Sequence, residues 1–225
     1  MDYARAVWVP DPAWSLSLIA SLDEGRQEFL ERLERFERGA AVKADYTGDG
    51  WYASLIASVR EGSADAVTVG GYAGRNLGEA VLVYAEGNLP PRAAESQALV
   101  GASYTFPWLA ILSAEYYYSG RGTTAEGLFR AFPVFDGNAL PSDLLFRRNY
   151  FFLQYYDEIN NRLEVTVRWT LGLDDGSSRV AAFVTYAISD RIEGFALAAV
   201  EEGGSNSEFD SFVEYSWAAG LSLSY

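Results

Sequence analysis

The chain has 225 residues, with 31 acidic against 17 basic side chains and a formal net charge of −14, which disfavours nucleic acid as a partner. It contains no cysteine and no histidine. Disulfide frameworks, thiolate or histidine metal sites and Ser-His-acid nucleophilic sites are therefore excluded. No stretch reaches the ~18 apolar residues of a transmembrane helix, and the first residues lack a signal-peptide h-region, so an exported form is expected to have lost its signal.

The N-terminal part combines extended segments with one change of period. Residues 1–12 include a short extended piece that is either a lead segment or an additional strand. Strict alternation of apolar and polar residues starts at Trp14. Residues 23–39 then place Phe29, Leu33 and Phe36 at helical spacing, which predicts a short amphipathic helix inserted in a loop and ended by Gly39.

Alternating segments recur through the rest of the chain, giving about twelve strands counted from Trp14. They lie near 42–46, 53–59, 67–73, 80–86, 100–106, 112–118, 151–155, 163–173, 180–188, 192–201 and 213–225, and of these 80–86 is apolar on both parities, which leaves its facing open. Their connections alternate between a tight class, such as 74–78, and a variable class that holds every long insert. The longest insert is 119–146, whose phenylalanines predict that part of it packs inward, as a constriction would. This asymmetry is typical of antiparallel up-and-down barrels.

One parity of the strands is apolar and the other is mostly polar. Enclosing the polar parity would make a poor core, because unpaired buried charges cost several kcal/mol each. As a hydrated lumen, the same face would set ion preference and orient solutes, unless its charges pair across the lumen and only stiffen the barrel. The predicted lumen-lining residues are Lys43, Asp45, Arg60, Glu115, Glu164, Arg168 and Glu214.

The last stretch, residues 213–225, alternates over its whole length and ends on an aromatic residue. It resembles the C-terminal strand of bacterial outer-membrane β-barrel proteins, whose assembly signal is matched by Gly220, Leu223 and Tyr225, while Ala218 departs from the expected polar residue. The resemblance implies one transmembrane antiparallel up-and-down β-barrel domain over 1–225. It also implies a location in the outer membrane, with membrane lipid and the barrel-assembly machinery as partners.

The function expected from these features is porin-like: passive passage of ions or small polar solutes, without enzymatic activity and without a cofactor or metal. The local carboxylate pairs Asp157-Glu158, Asp174-Asp175 and Glu201-Glu202 lie at predicted turns or loops and are expected to be solvated rather than catalytic. Two alternatives stay open. One is a structural or adhesion barrel with a closed lumen, and the other is a soluble β-barrel that binds a ligand.

Overall fold

The computed structural model describes residues 3–21, 38–60, 67–124, 145–204, 207–209 and 214–223. Thirteen strands lie in these ranges, and they pair in sequence order as an antiparallel up-and-down sheet. A single-turn 3-10 helix, Ala93–Glu95, is the only helix in the same ranges. No described helix has the length and apolar character needed to cross a membrane. The predicted all-β antiparallel fold is therefore confirmed.

The strands are numbered in chain order. They are β1 Tyr3–Asp11, β2 Trp14–Ser21, β3 Gly39–Gly48, β4 Trp51–Arg60, β5 Val67–Leu77, β6 Val81–Leu89, β7 Gln97–Thr105, β8 Ile111–Ser119, β9 Asn149–Ile159, β10 Leu163–Gly172, β11 Ser178–Ser189, β12 Ile192–Glu202 and β13 Tyr215–Leu223.

Two details of the chain differ from the sequence prediction. Residues 1–12 contain a strand, β1, which pairs antiparallel with β2, so the described count is thirteen rather than about twelve. The turn predicted at 74–78 lies at 78–80, because β5 continues to Leu77 and Gly78 adopts the positive φ of 70° that the turn needs. The helix predicted at 23–39 falls almost wholly on residues 22–37, outside the described part of the chain.

The chain divides into two compact units, residues 1–77 with 84–98, and residues 78–83 with 99–225. In the first unit, the register of β2 to β5 places the apolar parity of each strand on one face. Leu18 pairs with Val42, Val42 with Ala57, and Ala57 with Val69. The opposite face carries Ser17, with Lys43 as its cross-strand partner.

The second unit repeats this separation across β8 to β13. One row of the apolar face reads Val167, Ala182, Ala198 and Trp217 from strand to strand. The neighbouring row on the opposite face reads Ser113, Gln154, Arg168, Ala181, Ala199 and Ser216. The register therefore places the residues of each parity on the face that alternation assigned to them, as a period of two requires.

The described residues bury very little apolar surface. Five hydrophobic residues are buried, and two of these are alanines, whereas 32 large hydrophobic residues are exposed. Val42, Leu55, Val200 and Leu221 are examples, with between 56% and 68% of their surface accessible. A monomeric water-soluble domain rarely leaves contiguous apolar surface of such extent uncovered.

Gly220, one of the residues predicted to belong to an assembly signal, has a packing role in this fold. It pairs with Phe195 across β12 and β13, and the Phe195 ring lies over its backbone. A Cβ at Gly220 would stand 2.5 Å from Cζ of that ring, whereas a Cβ at Gly194 would meet no atom closer than Ile188 Cδ1, at an ordinary 3.6 Å. The ring therefore occupies the space that any side chain at position 220 would need.

Gly220→Ala is expected to destabilise the fold by about 1–3 kcal/mol, because the Phe195 ring must leave its position to admit the methyl group. Gly194→Ala is the matched control on the neighbouring strand and should change stability much less. Urea unfolding followed by tryptophan fluorescence measures both. In a Phe195→Leu background the cost of Gly220→Ala should shrink, and an unchanged cost would show that the ring is not responsible.

Candidate functional site

The polar face of the first unit brings together the predicted lumen residues of β3 and β4. Lys43 Nζ lies 2.8 Å from Asp45 Oδ1, and both side chains are about a quarter exposed, at 30% and 24%. Arg60 lies on the same face by register, at the exposed end of β4 opposite Gly39. Lys43 and Asp45 are thus paired along β3. Arg60, and Arg5 of β1 through a 3.2 Å bond to the Ser17 hydroxyl, add positive charge to the same face.

The polar face of the second unit holds Glu115 on β8, with Glu164 and Arg168 on β10. The guanidinium carbon of Arg168 lies 4.4 Å from the centre of the Phe152 ring, a cation–π contact. Glu164 accepts a hydrogen bond of 3.5 Å from the Thr185 hydroxyl. Glu214, the seventh predicted residue, lies immediately before β13, and its backbone oxygen accepts a bond from the Glu201 amide.

This face is more acidic than the sequence prediction stated. The strands β8 to β13 place five glutamates on it against two arginines. They are Glu115, Glu158, Glu164, Glu193, Glu201, Arg168 and Arg179. Among them, Arg179 and Glu201 form an ion pair of 3.6 Å.

A buried polar cluster in the second unit was missed by sequence reasoning. We call it the loop lock, formed by Arg147, Tyr150, Asp175 and Glu208. Arg147 Nε donates to Asp175 Oδ2 over 2.9 Å, and their side chains are only 3% and 7% exposed. The Glu208 amide donates to the same carboxylate oxygen, also over 2.9 Å.

Glu208 connects the remaining members of the loop lock. Its carboxylate accepts one bond from the Tyr150 hydroxyl and another, of 3.0 Å, from the Phe146 amide. Tyr150 is fully buried and accepts a bond from the Arg147 amide. The Phe209 ring packs in the same apolar cluster as Tyr150, which also includes Phe152 of the polar face.

The neighbouring Asp174 fixes the end of the long 119–146 insert. Its Oδ2 accepts bonds of 2.8 Å from the Arg148 and Asn149 amides, and its Oδ1 accepts one from the Asn149 side chain. The start of the insert closes on the same place, since the Ser119 amide donates to the Arg148 carbonyl over 2.8 Å. The prediction that part of this insert packs inward rests on its phenylalanines, and Phe129, Phe132 and Phe135 lie among residues 125–144, outside the described part.

Asp174-Asp175 does form the predicted turn, but the prediction that it is a solvated turn is wrong. Burial alone would raise the pKa of Asp175. It is outweighed by bonds from the Glu208 and Ser177 amides, from the Ser177 hydroxyl and by the charge of Arg147, so the pKa of Asp175 lies below its ordinary value. The signal in the sequence was the pairing of Asp174-Asp175 with Arg147-Arg148, which alternation alone does not connect.

The arrangement joins three connections at one end of the unit. They are the described end of the insert at Leu145 and Phe146, the hairpin turn at 173–177, and residues 207–209, and all three meet beside Tyr117 and Phe152 of the polar face. The loop lock is therefore a cap on that end of the polar face.

Neither carboxylate pair predicted outside this cluster assembles a reactive dyad. Asp157 accepts a 2.8 Å bond from the Tyr155 hydroxyl, and Glu201 pairs with Arg179. Within the described ranges, no group of three or more acidic, cysteine or histidine residues is placed to hold a metal ion. Of the residues predicted to form an assembly signal, Gly220 and Leu223 lie on β13, and Tyr225 lies outside the described residues.

Comparisons with known proteins bear on the fold alone. No protein-family model and no curated protein matches the chain. One solved structure, described as "Asymmetric conductivity of engineered proteins", is similar with a TM-score of 0.55 and 10% sequence identity. The alignment covers 98% of this chain and 88% of that one. The fold therefore has a counterpart among solved structures over nearly the whole chain.

Arg147→Met is expected to destabilise the second unit by about 3–5 kcal/mol, because Asp175 would stay buried without its guanidinium partner. Arg179→Met removes an ion pair whose arginine is 42% exposed and should cost at most about 1 kcal/mol. Urea unfolding of the two variants measures the difference. Equal losses would show that the loop lock contributes no more than a surface ion pair.

Acid is expected to open the loop lock. Because the pKa of Asp175 is lowered on folding, its stabilising contribution is complete above the ordinary value of ~3.9 and is lost as pH falls through the lower folded value. Hydrogen exchange of the Phe146 and Glu208 amides, corrected for intrinsic rates, should speed up between pH 5 and pH 2. The Ala187 amide, bonded to the Arg162 carbonyl at the other end, is the internal control. Equal acceleration at all three amides would contradict a local opening.

Proposed function

We propose that this chain is an outer-membrane β-barrel that lets ions or small polar solutes pass through a hydrated lumen. The observation that carries the proposal is the exposed apolar face of the antiparallel sheet, opposite a polar face that bears the charges. Lipid would cover the first face and water would fill the second.

The aromatic residues at the tight-turn ends of strands support a membrane interface. In the first unit, the rings of Trp14 and Tyr46 lie 5.0 Å apart at such an end. In the second, Phe106 lies 4.9 Å from Tyr104 and 4.6 Å from Trp108 around a tight turn. Aromatic belts of this kind lie at the level of lipid headgroups.

Conduction is proposed from the polar face together with the fold. The similar solved structure is described in terms of conductivity, and the proposal extends that activity to this chain. Charged side chains along a wall set ion preference, and the wall of the second unit carries five glutamates against two arginines. The wall of the second unit therefore favours cations.

The loop lock favours a second candidate, a structural or adhesion barrel whose lumen is closed. Its buried side chains hold three connections over one end of the polar face, where Tyr150 is 0% exposed. A cap of this kind either narrows the entrance or shuts it.

Refolding from urea with and without detergent micelles tests the proposal. A band that forms only with detergent, and that changes its gel mobility only on boiling, is expected. Conductance of that species in a planar bilayer then separates the channel from the closed barrel. A folded, monomeric species without detergent would overturn the membrane assignment.

Under a KCl gradient the reversal potential is expected to show preference for K⁺ over Cl⁻. Glu115→Gln combined with Glu201→Gln should reduce the preference, because two of the five carboxylates of the wall become neutral. Glu79→Gln, in an exposed turn, removes the same charge away from the strands and should leave the preference unchanged. A preference that is insensitive to the double variant would show that these residues do not line the path.

A further inference from the structure

The polar face of the second unit is interrupted by apolar side chains where β11 and β12 meet. Phe183 pairs directly with Leu197, and Phe195 lies one row away on the same face. Their exposed fractions are 43%, 37% and 37%, respectively. Tyr156 of β9 belongs to the row of Phe183, through Thr166 of β10. If the face lines a lumen, these side chains are exposed to water, which is unfavourable for apolar groups.

Two carboxylates flank this apolar surface. Glu158 and Glu164 are direct cross-strand partners on β9 and β10, both exposed. Their row continues through Thr185 to Phe195. Like charges directly opposite each other destabilise a sheet, so this pairing works against the fold unless a cation lies beside it. We call Tyr156, Glu158, Glu164, Phe183, Phe195 and Leu197 the aromatic–acidic patch.

The same face already contains an example of the contact that such a patch can make. The Arg168 guanidinium lies over the Phe152 ring. This contact directs the guanidinium toward the row of Phe152 and Thr170, away from Glu158 and Glu164. Two other basic residues near the patch, Arg162 and Arg191, lie in the tight turns before β10 and β12. An exposed aromatic ring together with carboxylates is complementary to a cation that carries an apolar body.

We propose that the aromatic–acidic patch is a binding site for organic cations, such as quaternary ammonium compounds with an aromatic or aliphatic group. The carboxylates of Glu158 and Glu164 meet the positive charge, while Phe183 and Leu197 cover the apolar part. The inference rests on the proposed function, since it names the class of solute that the polar face selects. In this proposal the patch is a binding site along the path through the lumen.

Calorimetric titration of the micelle-refolded protein with benzyltrimethylammonium tests the site without requiring an open lumen. Binding is expected to be stronger than for benzyl alcohol, which lacks the charge, and for tetramethylammonium, which lacks the ring. Glu158→Gln with Glu164→Gln should weaken binding about tenfold, and Phe183→Leu about threefold. Glu79→Gln in the exposed turn should bind like the parent protein.

Each outcome separates the two proposals. Binding that is lost in the patch variants but kept in Glu79→Gln supports the site, whether or not a bilayer shows conductance. Equal binding of the charged and uncharged aromatic probes, or affinity unchanged in the patch variants, overturns the site. A channel that conducts but shows no calorimetric binding refutes the inference and leaves the proposed function standing. Because Glu→Gln keeps side-chain shape and removes a like-charge contact, the variants are expected to fold at least as well as the parent.

Discussion

The separation of apolar and polar residues onto opposite faces is the constraint on which the rest of the structure depends. Neighbouring strands keep the same parity in register, from Leu18 and Val42 in one unit to Ala198 and Trp217 in the other. A slip by one residue would exchange the faces of a strand completely. A single solvent therefore cannot be favourable for both faces of the sheet, because one face is apolar and the other is polar. If lipid covers the apolar face, the backbone bonds of antiparallel neighbours satisfy the polar groups that lipid cannot.

Very little of the stability in the described residues can come from a conventional core, so specific contacts on the polar face matter more. The Phe195 ring fills the space over Gly220, and the loop lock satisfies the Asp175 carboxylate with several donors at once. Such a network is costly to leave half satisfied. We infer that the contacts of the loop lock stabilise this end of the second unit cooperatively rather than independently.

Alternation predicted the strands and their faces because a period of two can be recognised within the sequence of each strand, without knowing its neighbours. It placed Lys43, Asp45, Glu115, Glu164 and Arg168 on the polar faces where the register puts them. It could not find the loop lock, since Arg147, Asp175 and Glu208 lie in three different connections and meet beside Tyr150 of β9 only in three dimensions. Nor could it show that Phe183, Phe195 and Leu197 share the acidic face, because β11 and β12 are apolar on both parities.

The two ends of the polar face differ in charge, because the paired glutamates Glu158 and Glu164 lie near one end and the loop lock lies at the other. At one end, the loop lock neutralises its acids with Arg147 and backbone amides, so that end presents a satisfied and buried cap. Toward the tight-turn end, Glu158 and Glu164 remain exposed beside aromatic rings. If this wall lines the proposed channel, a cation moving along it would meet its most favourable potential beyond the cap. In that channel the loop lock would control entry, and the aromatic–acidic patch would control how long a cation stays bound.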